Sequence, residues 1–160
     1  MTTIAYRDGI MAADSRAFSG GSTPIGFKRK LFEMPDGSVV GVSTNQPGLG
    51  EWFVDWLSGK ISEDPHNIRE PVLQGNTEFT ALHVTPLGNV FFYHDSLYPS
   101  GPLTDEFFAI GSGDRYAIGA MLMGASAVRA VEIAMQVDPW TDGEIVRVKI
   151  EANAGLRKAA

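Results

Sequence analysis

The chain has 160 residues, is 44% apolar and carries a formal net charge of −6 at pH 7. Those values fit one domain with a real hydrophobic core, and they lack the basic footprint with which a protein neutralises phosphates; neither nucleic acid nor an anionic membrane is an expected partner. There is no cysteine, which excludes a disulfide framework, a thiolate nucleophile and a cysteine metal site.

The first residues are Met1-Thr2-Thr3-Ile4. They lack the charged and apolar regions of a signal peptide, and no apolar run reaches membrane-spanning length, so a cytoplasmic protein without a leader is the default expectation. Threonine is small enough at the second position for an aminopeptidase to remove Met1. Thr2 then carries a hydroxyl and a free α-amine in one residue. That is the minimal equipment of an N-terminal-nucleophile hydrolase, because the amine can take the hydroxyl proton without help from a histidine.

Short apolar or alternating runs at 3–6, 10–13, 38–43, 79–85 and 90–94 predict strands. Asp8-Gly9, Pro35-Asp36-Gly37 and Pro86-Leu87-Gly88-Asn89 supply the turns between them, so the first two runs and later neighbours read as hairpins. A helix is predicted over 51–57, where Trp52 and Trp56 lie four apart beside Phe53 and Leu57. That tryptophan face reads as core or subunit interface. The stretch 58–75 is rich in proline and charge and reads as a loop or irregular excursion. Further helices are predicted over 114–123, ended by Gly124, and over 126–136, with Ser126 as N-cap and Ala127, Val128, Val131, Ala134 and Met135 as its apolar stripe. Val146, Val148 and Ile150 alternate with polar residues as a last, half-buried strand, and 152–160 reads as a tail. The order suits an α+β domain in which two sheets pack together and helices cover their outer faces.

Several motifs have bland readings. Asp14 can be a turn residue ending a strand, and Lys30 a solvated side chain at a strand edge. Gly111-Ser112-Gly113 before a helix can be a tight turn and cap, or a phosphate cradle lacking the Gly-Lys-Ser/Thr end of a P-loop. Asp138 before Pro139 is a good helix terminator. His94-Asp95-Ser96 is not expected to form a triad, since neighbours on an extended chain point to opposite faces. His66, His83 and His94 share no ligand-type spacing, so no metal is expected.

Taken together, Thr2-Thr3-Ile4, Ala12-Ala13-Asp14-Ser15-Arg16, Lys30-Leu31-Phe32, Gly111-Ser112-Gly113-Asp114-Arg115-Tyr116-Ala117 and Asp138 occur in an order and spacing that resembles proteasome β-type subunits. By its start, its short length and the lack of a propeptide the chain is most similar to the HslV type, a bacterial peptidase that works with an ATPase unfoldase. The resemblance implies the Ntn-hydrolase fold over residues 1–151, an α+β, four-layer αββα sandwich, here with a shortened first helical layer. It implies Thr2 as nucleophile, Asp14 and Lys30 as the buried acid and lysine beside it, and Ser112 and Asp138 as hydrogen-bonding groups around its amine. It further implies a threonine-type endopeptidase acting on unfolded polypeptide inside a homo-oligomeric ring, with an ATPase unfoldase as partner and no cofactor.

Each of these roles makes physical sense. An α-amine titrates at about 7.7–8.0, so a nearby Lys30 ammonium would raise its unprotonated fraction. Lys30 would also stabilise negative charge on the threonine oxygen, and Asp14 is the counter-ion its burial requires. Lys30 and the amine share one proton equilibrium in this arrangement. Two departures stand out. Relatives carry a Gly-Gly turn whose N–H forms the oxyanion hole, where this chain has Thr44-Asn45-Gln46; Asn45 is the candidate backbone donor. Relatives also carry a long helix pair where this chain has one short helix and the 58–75 excursion. The alternatives are an Ntn amidohydrolase for a small amide, separated by a monomeric or dimeric state, and an inactive ring or scaffold protein, separated by an intact Met1.

Overall fold

The computed structural model describes residues 2–19, 22–60 and 78–151. Among them are eleven strands and three helices. A four-stranded antiparallel sheet has the order β10-β1-β2-β11, built from β1 (Thr3–Arg7), β2 (Ile10–Ala13), β10 (Phe107–Gly111) and β11 (Val146–Lys149). A five-stranded sheet runs β5 (Leu31–Glu33), β6 (Val39–Thr44), β7 (Phe79–Val84), β8 (Val90–His94), β9 (Ser100–Leu103). Between β2 and β5 the chain makes a separate ribbon of β3 (Arg16–Ser19) and β4 (Thr23–Phe27). The helices are α1 (Leu49–Leu57), α2 (Asp114–Leu122) and α3 (Ala127–Val137).

The β1–β2 hairpin forms as its turn dictates. Arg7 pairs with Ile10, and Asp8 and Gly9 between them both have positive φ, 51° and 74°; this is the primed two-residue turn whose twist matches the strands. Alternation along β1 then separates two faces. Ile4 and Tyr6 join Met11, Leu82, Val84 and Val90 in a cluster between the two large sheets. Ala5 joins Ala117, Met121, Ala130 and Val131 of α2 and α3. On the far side of the five-stranded sheet Val40, Val42, Phe79 and Tyr93 pack around Phe53 of α1. The sheets approach so closely that a Cβ on Gly41 would lie 2.8 Å from the Ile4 side chain and 2.9 Å from Met11 Sδ. Only glycine fits there.

Helix ends follow local chemistry. Ser126 caps α3 by accepting from Arg129 N, and Gly124, at φ 93°, ends the α2 turn with its N–H on the Met121 carbonyl. Arg7 also reaches that end of α2, donating to the carbonyls of Met121 and Ala125 at 2.6 and 3.2 Å.

The predicted strands and helices all form, with ends shifted by one or two residues, and the structure adds β3, β4, β5, β9 and β10. Trp52 and Trp56 stack at 6.5 Å and pack against the α1 cluster. Most of the 58–75 excursion and the 152–160 tail lie outside the described residues. His94 and Asp95 approach each other, but Ser96 does not complete a triad with them. Asp95 does not continue the strand but takes φ 47°, which turns its carboxylate back to 3.5 Å from His94 Nε2. Neighbours diverge only while the backbone stays extended. Ser96 faces elsewhere, its hydroxyl accepting from Tyr98 N.

Candidate active site

Thr2 stands immediately before β1, and Asp14 immediately after β2, the strand paired with it. The hairpin thus brings residues 2 and 14 side by side. Asp14 Oδ1 accepts from Thr2 Oγ1 at 3.0 Å and from Thr3 N at 2.9 Å. Lys30, just ahead of β5, donates to both Asp14 oxygens at 2.8 Å, and Asp142 N donates to Oδ2 at 3.2 Å. Thr2 and Asp14 are 1% exposed and Lys30 3%. A buried carboxylate is tolerated when its acceptor sites are filled and a charge opposes it, and both conditions hold. Burial pulls the Lys30 ammonium below its ordinary value, partly offset by Asp14. Both hydrogen bonds of Lys30 go to Asp14, so its link to Thr2 runs through the carboxylate.

The other side of Thr2 is held from the far end of the sequence. Register pairs Thr3 with Gly111 across β1 and β10, which sets Ser112 beside the Thr2 nitrogen. Thr2 N donates to Ser112 Oγ at 3.1 Å. Ser112 Oγ lies 2.7 Å from Asp138 Oδ2 and 3.3 Å from the Thr2 carbonyl; its single proton serves the shorter contact. Asp138 caps the C-terminal end of α3 in an extended conformation, as a residue before proline prefers. Its Oδ2 also accepts from Thr141 Oγ1 at 2.5 Å. Since Thr141 uses its proton there, the 2.6 Å contact between Thr3 and Thr141 hydroxyls is donated by Thr3. The result is one directed network in which hydrogen bonds converge on Asp138 from both sides.

This geometry explains the glycines. A Cβ on Gly111, at φ 96°, would fall onto the Thr2 carbonyl oxygen. On Gly113 it would fall onto Thr3 Oγ1 and lie 3.2 Å from Asp138 Oδ2. The Gly-Ser-Gly sequence therefore makes room for Thr2 and Thr3 as well as starting α2.

Thr2, Asp14, Lys30, Ser112 and Asp138 are thus brought together. Asn45 is placed differently. It follows β6, its N–H donates to the Glu78 carbonyl at 3.2 Å, and its Oδ1 accepts from Glu78 N at 3.0 Å. These bonds extend the β6–β7 ladder past Thr44, which engages the N–H expected at the oxyanion position. Thr141, Asp142 and Thr3 are site residues for which the sequence suggested no role. The only local signal was a threonine three residues after Asp138, close enough for a turn in which Thr141 N bonds the Asp138 carbonyl. Among the described residues no group of His, Asp and Glu side chains could hold a metal ion.

No protein-family model matches the sequence, and no curated protein does. Solved structures do match. Eukaryotic HslV from Trypanosoma brucei shares 16% identity over 92% of this chain and 98% of its own, with a TM-score of 0.65. BPH of Thiobacillus denitrificans in complex with epoxomicin shares 16% over 93% of this chain and 98% of its own, TM-score 0.63. Another structure of that BPH shares 18% over 96% and 98%, TM-score 0.55. Likeness at this identity speaks to fold, and the chain has the HslV-like, proteasome β-type fold.

Proposed function

We propose that this protein is a threonine-type endopeptidase of the proteasome/HslV class, with Thr2 as nucleophile once Met1 is removed. The observation that carries the reading is Asp14, a buried carboxylate shared between the Thr2 hydroxyl and the Lys30 ammonium. A structural scaffold gains little from such a group, because an apolar pair of the same volume is commonly as stable.

In the proposed reaction the free Thr2 amine takes the proton from Oγ1 as that oxygen attacks the peptide carbonyl. The Asp14–Lys30 pair opposes the charge developing on Oγ1, and Ser112, oriented by Asp138, holds the nitrogen. The tetrahedral oxyanion collapses as the ammonium returns its proton to the departing amine. An ester on Thr2 remains, and water attacks it by the same proton route in reverse. Asn45 is the proposed oxyanion donor and would need its bond to Glu78 to open. Loss of one such donor costs about a hundredfold to a thousandfold in rate.

We further infer a four-layer αββα arrangement, a homo-oligomeric ring enclosing the sites, unfolded polypeptide as substrate and an ATPase unfoldase as partner. No helix of the described residues is long and apolar enough to cross a membrane, which is compatible with the cytoplasmic location we propose. The test is mass spectrometry of Met-free protein after incubation with a peptide epoxyketone, with the native mass measured alongside. An adduct on Thr2 in a ring-sized particle is expected. An adduct on a monomer or dimer would favour an amidohydrolase for a small amide. Absence of any adduct would favour an inactive scaffold, a reading that the engaged Asn45 N–H supports.

A further inference from the structure

Ser112 belongs to two features at once, the Thr2 network and the wall of a cavity of about 790 Å³. Strand register explains where the cavity lies. Ser43 pairs with Thr80, and Thr80 with His94, so all three side chains share one face of the five-stranded sheet. It is the face of Gly41 and Leu82, turned toward the four-stranded sheet. Gly111 and Ser112 close the space from the opposite side. A cleft of this size accepts a side chain together with neighbouring backbone.

Its chemistry is one-sided. Glu78, Asp95 and Asp114 stand in the wall, no lysine or arginine does, and Phe79 and Trp140 add aromatic surface. Asp95 accepts from Phe79 N at 2.8 Å with one oxygen, and its other oxygen lies 3.5 Å from Nε2 of His94, which stands in the same wall. The Glu78 and Asp114 carboxylates have no hydrogen bond or ion pair with the described residues. The Ser43 hydroxyl is a further acceptor: the residue is 7% exposed, lines the cavity and has no side-chain partner among the described residues. Facing the cavity, that hydroxyl is able to accept from a donor on a ligand. Thr44 and Asn45 also line a second cavity, of about 180 Å³, whose charged residues are Lys28, Arg29 and Glu51. The two spaces therefore differ in sign.

We propose that the larger cavity selects a lysine or arginine side chain of the substrate, held by Glu78, Asp95, Asp114 and the Ser43 hydroxyl; this rests on the reading of Thr2 as nucleophile. Ammonium and guanidinium groups carry donors and no acceptors, which matches a wall of carboxylates and an unpartnered hydroxyl. Trp140 adds an aromatic surface of the kind cations favour. A glutamate side chain would meet like charge and be excluded.

Two measurements test this. Peptides carrying arginine, norleucine or glutamate at each residue near the scissile bond are compared by kcat/KM on Met-free protein. Arginine should lead norleucine by about fivefold for each carboxylate it reaches, the upper end for exposed pairs, and glutamate should be poorest. Binding of arginine amide and norleucine amide to the full chain is then measured by calorimetry, which needs no turnover. Arginine amide should bind more tightly, its advantage should shrink at high salt, and the isosteric double variant Glu78→Gln with Asp114→Asn should cut that advantage by about fivefold for each carboxylate removed, leaving only what Asp95 supplies. Equal binding overturns the proposal, as does an advantage that the double variant leaves undiminished. An epoxyketone adduct on Thr2 with equal turnover of arginine and norleucine peptides sinks the pocket and leaves the nucleophile standing. Arginine-selective binding without any adduct upholds the pocket and removes the nucleophile.

Discussion

Breaking the Asp14–Lys30 pair at Asp14 alone should hurt stability more than replacing both members. In Asp14→Asn the Lys30 ammonium keeps its burial and loses two hydrogen bonds of 2.8 Å to a charged acceptor. The asparagine also presents an NH₂ group where a carboxylate oxygen accepted from Lys30 or from Asp142 N. Stranding a buried charge in this way costs about 3–5 kcal/mol. For a chain of this length that lowers Tm by roughly 6–20 °C, at about 2–4 °C per kcal/mol. Lys30→Met is milder, because Asp14 retains donors in Thr2 Oγ1, Thr3 N and Asp142 N; a loss of about 1–3 kcal/mol is expected. The double variant removes both charges and keeps only the mismatch between the amide NH₂ and a backbone donor, so its loss should fall to about 1–3 kcal/mol, below that of Asp14→Asn alone.

Urea unfolding of the four proteins, with equal m-values required, measures the coupling directly. The same samples, freed of Met1, are incubated with a peptide epoxyketone. The double variant should be more stable than Asp14→Asn and form no adduct. That combination would mean the pair is kept for chemistry. A double variant as unstable as the sum of the singles, or an Asp14→Asn loss under about 1 kcal/mol, would refute the reasoning.

Other consequences are open to the same kind of test. Burial holds Lys30 below its ordinary value of 10.5, so between its folded pKa and 10.5 the native state binds fewer protons than the unfolded one. Parent stability relative to Lys30→Met should therefore rise with pH through that window; a flat difference in Tm across alkaline pH speaks against it. His83 is lowered from 6.5, chiefly by burial, and its Nε2 is buried without a partner among the described residues. Stability should fall as pH drops from 6.5 toward the folded pKa, and His83→Gln should flatten that slope in a thermal melt. Gly113→Ala drives a methyl into Thr3 Oγ1 beside Asp138, with an expected loss of about 1–3 kcal/mol and slower epoxyketone labelling of Thr2. Ser126→Ala deletes the α3 cap, removing about 1 kcal/mol while leaving the labelling rate alone.

How far the sequence disclosed this structure depended on whether its signals were local. Asp8-Gly9 announced the β1–β2 hairpin because a two-residue turn with both φ values positive has few acceptable sequences. Ser126 and Gly124 announced helix ends for a similar reason. β9 was missed because Ser100-Gly101-Pro102-Leu103 reads as a loop, and such a segment is tolerated at the edge of a sheet, where β9 lies. β5 has three residues, too few for a period, and the β3–β4 ribbon contains Pro24 and Gly26 with little burial. β10 escaped because Phe107-Phe108-Ala109-Ile110 is apolar on both faces and shows no alternation. The site needed non-local information. Thr3 meets Gly111 only through strand pairing, and no spacing rule connects residue 2 with residues 112 and 138. Resemblance to a known family is what joins those residues in the sequence, whereas Thr141 and Asp142 carry no such signal and take their places only in the folded chain.

The two carboxylates of the site do different work, and the difference bears on how removal of Met1 could act. Asp14 faces the Thr2 oxygen and is filled by donors that do not depend on the Thr2 nitrogen. Asp138 faces that nitrogen through one intermediary, Ser112, whose oxygen already accepts the Thr2 N–H while it is still a peptide N–H. Cleaving the Met1–Thr2 bond turns that one nitrogen into a titratable amine, coupled in charge to Lys30, and replaces none of the hydrogen-bonding side chains in either network. The hydroxyl is on Asp14, the lysine is paired, and the serine is fixed by Asp138 before the amine exists. Removal of one residue would thus supply a base to a site in which Asp14, Lys30, Ser112 and Asp138 already stand in position, whereas Asn45 would still have to leave its bond to Glu78. Preorganisation of this kind is where much of a hydrolase's rate originates, and here it would be a property of the fold rather than of its processing.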